Sequence, residues 1–109
     1  MERLEKLLQI HKIQADSSFV KFGIAKEYEN MSNFHESKIW YQKLTEDDPD
    51  YTGTYYHFAN LLMKMENQKE ALECIEKGII RCKALKFDHD LAELSNLKMN
   101  IQLGEWESN

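Results

Sequence analysis

Leu4, Leu7, Leu8 and His11 follow i, i+3, i+4, i+7 spacing, the signature of one apolar helical stripe. Glu2, Glu5, Lys6 and Lys12 fall on the other side, so a helix is predicted over residues 2–13. Ala15 to Ser18 reads as a turn, with Asp16 or Ser17 as N-cap of a helix over 18–31. Ile24, Ala25 and Tyr28 point into a hairpin there, and Phe19, Phe22, Lys26 and Glu29 lie on a neighbouring face. After a tight connection at 31–33, a helix over 34–46 packs through Ile39, Trp40, Tyr41 and Leu44. It stops before Pro49, because the residue ahead of a proline disfavours the helical region. The acidic run Glu46–Asp50 suits the start of the following helix better than the end of this one, with Asp50 or Thr52 as its N-cap. A helix over 53–65 carries Tyr55, Phe58, Ala59 and Leu62 inward, and Glu66–Gln68 forms the next turn. A longer helix from 69 to about Leu85 carries Ala71, Leu72, Ile75, Ile79 and Cys82, with Lys77, Arg81, Lys83 and Lys86 suited to its C-terminal dipole. Asp90–Glu93 reads as a capping box for a last helix over 91–103, with Leu91, Leu94, Leu97 and Ile101 on one side and Gly104 ending it. Glu105–Asn109 is expected to fray, with Trp106 able to fold back on the core.

The pattern repeats. At a shift of 34 residues Ile24-Ala25 falls on Phe58-Ala59, Phe22 on Tyr56, Tyr28 on Leu62, Tyr41 on Ile75, Glu36 on Glu70 and Ser37 on Ala71. A fixed period of this length marks a solenoid. One such hairpin cannot bury its own faces and must stack on a neighbour. A plain helical bundle is the alternative, but the aligned Ala25/Ala59 pair argues against it, since close helix crossings need small residues where ridges meet.

This spacing resembles the tetratricopeptide repeat, W-x2-L-G-x2-Y, then A-x3-F, then P. In the first copy Ile24-Ala25, Tyr28, Ser37, Tyr41 and Pro49 take the places of Leu-Gly, Tyr, Ala, Phe and Pro. In the second, Tyr55, Phe58-Ala59, Leu62, Ala71 and Ile75 match. Lys21 stands at the Trp place, Ser37 at the helix-crossing Ala, and Lys83 where Pro should close the second unit. The resemblance implies an all-α fold, an α-α superhelix of about six antiparallel helices. It would be a single domain over 1–109, with a capping helix at 2–13, repeats at 18–51 and 52–85, and a second capping helix at 88–104. It also implies an interaction module that binds a peptide or protein segment along the first helix of each hairpin. The residues at those places are Phe19, Phe22, Lys26 and Glu29, then Gly53, Tyr56, Asn60 and Met63. Phe22 and Tyr56 are the expected apolar anchors, with Lys26 and Asn60 setting register. One subfamily clamps C-terminal carboxylates with Lys, Asn and Arg on this face; Phe22, Gly53 and His57 stand where such groups would be needed, so no clamp is expected.

Composition narrows the function classes. The 109 residues hold 14 Lys/Arg and 19 Asp/Glu, a net charge of −5 spread evenly along the chain, which opposes attraction to nucleic acid or an anionic membrane. No apolar run approaches the ~18–20 residues that span a bilayer, and Met1–Lys6 is too charged for a signal peptide. Cys74 and Cys82 fall about 12 Å apart on one predicted helix, too far for a disulfide, and read as free thiols of a cytoplasmic protein. His11, His35, His57 and His89 show no paired metal spacing, and no phosphate loop, nucleophile elbow or zinc-protease motif is present. No enzyme, metal or cofactor is expected. The rival to partner binding is a self-associating scaffold, a homodimer formed through an end helix that keeps an apolar outer stripe.

Overall fold

The computed structural model describes residues 2–108, and among them there are six helices and no strand. They are α1 (Glu2–Ile13), α2 (Ser18–Asn30), α3 (Phe34–Asp47), α4 (Gly53–Lys64), α5 (Gln68–Leu85) and α6 (Asp88–Gln102). Met1, and Asn109 at the end of the tail expected to fray, lie outside the described residues. Contacts divide the chain after Asp48 into two units.

In the first unit α2 packs on both α1 and α3. Leu4, Val20 and Ile24 form a buried cluster against which Leu7, Leu8, Tyr28 and Trp40 pack. Tyr41 and Leu44 of α3 are fully buried, whereas Ile39, expected beside them, is 41% exposed. Three consecutive helical residues span about 200° of the helix circumference, so they cannot all face one neighbour. The small residues work as close crossings. Ser37, at the place of the repeat's Ala, is fully buried, and its hydroxyl donates to the Ala25 carbonyl across the hairpin at 2.7 Å.

Ser17 caps α2, its hydroxyl oxygen accepting from the Val20 amide at 3.2 Å. Asp47 and Asp48, at the end of α3, do not serve the next helix as expected. Asp47 pairs with Lys21 at 2.8 Å, and Asp48 accepts from the Ser18 hydroxyl at 2.6 Å. An antiparallel hairpin lays the end of α3 beside the start of α2, whose N-terminal dipole favours negative charge.

The hairpin turns are the same device used repeatedly. Ser32 (φ 60°), Glu66 (φ 59°), Lys86 (φ 59°) and Gly104 (φ 73°) all adopt the left-handed conformation. At each, the next residue's amide closes back on the carbonyl five residues earlier: Asn33 to Tyr28, Asn67 to Leu62, Phe87 to Cys82 and Glu105 to Asn100, at 2.8–3.0 Å. Asn33 and Asn67, 34 residues apart, then cap α3 and α5 through their side-chain oxygens.

In the second unit α4 packs on α5, and α6 packs on both. Ala59, Leu61, Leu62, Ala71, Ile75 and Cys82 are fully buried. Without a proline to stop it, α5 runs 18 residues to Leu85, as the Lys83 departure implied. The capping box at Asp90–Glu93 does not form: α6 starts at Asp88, three residues before the expected Leu91, with Phe87 at its N-cap position. Asp90 instead accepts a hydrogen bond from the Thr52 hydroxyl. Thr52 holds the N-cap position of α4 without capping it, since that hydroxyl is engaged elsewhere. Asp50 pairs with Arg81 at 3.2 Å.

Gly78 lets α4, α5 and α6 converge. A Cβ there would lie 2.7 Å from Tyr55 Cβ and 2.8 Å from Leu94 Cδ1, inside contact distance. Replacing a mid-helix Gly by Ala ordinarily gains ~0.5–1 kcal/mol. Gly78→Ala should instead lower stability by ~1–3 kcal/mol through overpacking, read as a lower denaturant midpoint with an unchanged slope. A higher midpoint would mean that the three helices have room to part.

Candidate functional site

Ser17 capping and the small crossings at Ala25 and Ser37 turn one side of α2 inward and leave another open. On the open side Phe19 is 72% exposed. Phe22 is half-buried, its ring edge-on to Tyr41 at 6.2 Å. Lys26 is half-buried, with Nζ 3.6 Å from Glu29 Oε1. Glu29 belongs elsewhere: it is buried, and the same oxygen accepts from the Tyr41 hydroxyl at 3.0 Å. Grouping it with Phe22 and Lys26 as a surface residue is therefore corrected. A carboxylate beneath the hairpin needs partners, and Tyr41 and Lys26 provide them. Burial above all, and then the Glu29 charge and hydrogen bond, push the Tyr41 hydroxyl far above its ordinary value of 10.0.

On α4, Tyr56, Asn60 and Met63 are half-buried and Gly53 is exposed. The Tyr56 ring meets His57 edge-on at 5.5 Å. The Asn60 amide nitrogen donates to the Tyr56 carbonyl one turn back at 2.9 Å. Its side-chain oxygen accepts from the indole N–H of Trp106 at 2.8 Å. The tail thus folds back as the sequence allowed, and it lands on a residue expected to meet a partner.

The first unit also holds an open depression of about 530 Å³, with His11, Lys21, Lys43 and Asp47 in its wall. Lys21 is 95% buried, a rare state for lysine, and its ion pair with Asp47 accounts for it. That hydrogen bond, more than any other influence, holds the Asp47 carboxyl below its ordinary 3.8. Sequence reasoning noted Lys21 only as a departure from the repeat. The usable signal was a cation in an aromatic's place, which forces a search for a buried counter-charge on the paired helix. His11 meets Trp40 edge-on at 4.9 Å, and the Lys43 ammonium lies over the Trp40 ring, 4.9 Å from its centroid. Burial, then the charges of Lys43 and Lys21, lower the His11 pKa from 6.5.

Neither cysteine is set up as a nucleophile. Burial pushes the Cys74 thiol up to about 12 and also raises Cys82. His89, Asp90 and Glu93 bring ligand atoms within 4.8 Å of one another at the start of α6. Asp90 is bonded to Thr52, and His89 lies 3.6 Å from Glu93 one turn on, so helix-start contacts account for the grouping.

Two outcomes follow from these environments. A lowered His11 pKa means the unfolded chain binds the proton more readily, so stability rises with pH across that range. The contribution is present above pH 6.5 and is lost as pH falls through the lowered native value. Thermal midpoints should drop between pH 7.5 and 5.5, and His11→Gln should flatten that part of the profile; an unchanged slope in the variant would remove His11 as its source. A thiol at about 12 is ionised in roughly one molecule in 10,000 at pH 8, so Cys74 should resist a disulfide reagent in the native protein and react promptly in denaturant. Prompt native labelling would show that the thiol is not held in the core.

No curated protein sequence matches the chain. Among solved structures it is similar to a tetratricopeptide repeat domain protein from Salinibacter ruber. The solution NMR structure of that protein has a TM-score of 0.75 at 28% identity, covering 79% of this chain and 87% of the other. A crystal structure from the same organism has a TM-score of 0.73 at 28% identity, covering 79% and 97%. No described helix is long and apolar enough to cross a membrane. The sequence profile of the tetratricopeptide repeat matches residues 20–51 and 52–79, more than half of the chain, and the chain belongs to the tetratricopeptide repeat family.

Proposed function

We propose that this chain binds a protein or peptide segment through the open faces of α2 and α4 and catalyses no reaction. Tetratricopeptide repeats in general are protein-interaction modules. The observation that carries the reading is what hairpin packing leaves unburied. Phe19 stands 72% exposed, and Phe22, Lys26, Tyr56, Asn60 and Met63 are only half-buried, although the opposite sides of the same helices hold fully buried Ile24, Ala25, Ala59 and Leu62. On each helix a half-buried aromatic stands one turn from a polar group, Phe22 before Lys26 on α2 and Tyr56 before Asn60 on α4, which suits a segment with an apolar anchor and backbone polar groups. Glu29 serves the hairpin and takes no direct part. The buried, protonated thiols suit a reducing compartment, and we place the protein in the cytoplasm.

A second reading has its own support. Met99 near the end of α6 and Leu103 at its C-cap, four residues apart, are 57% and 62% exposed, an apolar pair suited to a two-fold contact with another copy. A mass that rises with concentration would favour it.

Affinity capture from source-cell lysate, comparing the wild type with Phe22→Ala/Tyr56→Ala, tests the first reading. The variant should keep its helicity and lose specific partners by tenfold or more. Equal capture by both would move the site off these faces, and a loss of helicity would reassign both rings to the core.

A further inference from the structure

The C-terminal tail bears on what kind of partner the α4 face takes. Gly104, in the left-handed conformation, reverses the chain after α6. The Glu105 amide, bonded to the Asn100 carbonyl at 2.8 Å, fixes the turn. Of the described residues beyond it, Glu105, Glu107 and Ser108 stay exposed, while Trp106 is half-buried with its indole N–H on Asn60 Oδ1 at 2.8 Å. Asn60 is preset for this. Its amide nitrogen is turned back to the Tyr56 carbonyl, so its oxygen faces outward as an acceptor. An outward acceptor on a half-buried aromatic face asks for a flat apolar group bearing an N–H, and tryptophan supplies both parts.

We propose that the Asn60 face of α4 is a tryptophan-binding site, filled in the free chain by Trp106, and that a partner segment carrying a tryptophan binds there by displacing the tail. The proposal rests on the reading that the α4 face receives a partner and names that partner's anchor. The tether matters as much as the contact. A ligand joined by a short linker acts at an effective concentration in the millimolar range. The apparent affinity for any competing segment is then reduced by the fraction of chains whose tail is off the site. Weak or tryptophan-free segments are excluded, and a tight tryptophan-bearing one is admitted.

The probe is a terminally blocked peptide, Gly-Glu-Trp-Glu-Ser, copying residues 104–108, titrated into the full chain and followed by the backbone amide signals of α4 in NMR. Trp106→Ala should bind it about tenfold or more tighter than wild type. The same peptide with Phe for Trp, or the double variant Trp106→Ala/Asn60→Leu, should lose binding. In the wild type the Trp106 indole N–H should exchange slowly with solvent and become fast in Asn60→Leu, a readout that does not depend on the folding of any tail variant. Equal titration of wild type and Trp106→Ala, no shift along α4, or fast indole exchange in the wild type each overturns the proposal. These outcomes are independent of lysate capture. If Phe22→Ala/Tyr56→Ala captures as well as wild type while the peptide still titrates, the partner reading falls and the tail contact stands. If capture depends on Phe22 and Tyr56 but the peptide titrates equally, the tail proposal falls alone.

Discussion

Each unit depends on helices coming closer together than ordinary side chains allow. Ala25 and Ser37 meet across the first hairpin, where the Ser37 hydroxyl bonds the Ala25 carbonyl at 2.7 Å. In the second unit Gly78 leaves no room for a Cβ between Tyr55 and Leu94. Close approach buries Ile24, Tyr41 and Leu44 in one unit and Leu62, Ile75 and Cys82 in the other. It also decides which residues remain outside. A helix has one circumference, so a deeper crossing on one side leaves a better-defined open strip on the other. Phe19 and the half-buried Phe22, Tyr56 and Asn60 are that remainder.

Polar groups drawn inside by this packing are each given a partner, with few exceptions. Lys21 is held by Asp47, Glu29 by Tyr41 and Lys26, and Ser37 by Ala25. Breaking one half of such a buried pair leaves an uncompensated group, which costs more than the pair itself contributes. The Thr54 hydroxyl and His11 Nδ1 have no protein partner among the described residues. Burial of His11, which lies against Trp40, lowers its pKa and so disfavours adding a charge at that site.

The turns show how a degenerate repeat keeps its shape. Ser32 and Glu66 share neither size nor charge, yet both take the left-handed conformation and both precede an asparagine that caps the next helix. Backbone hydrogen bonds from Asn33 to Tyr28 and from Asn67 to Leu62 impose that conformation whatever the side chain. Lys86 and Gly104 repeat it at the ends of α5 and α6, and at Gly104 the same reversal carries Trp106 back to Asn60.

Six helices, their order and the 34-residue repeat were legible in the chain, because helical periodicity and turn chemistry are local properties that a short window carries. The run of α5 to Leu85 followed from one missing proline. What the chain alone misplaced involved partners far apart in sequence. Spacing grouped Glu29 with Phe22 and Lys26, but Tyr41, twelve residues on, draws it inside. Asp90 fits a capping box by pattern, but Thr52, 38 residues earlier, takes its carboxylate. Lys21 read as a fault in the repeat until Asp47 stood beside it. A carboxylate or an ammonium goes to the strongest counter-group within reach, and in this protein only the folded chain decides what is within reach.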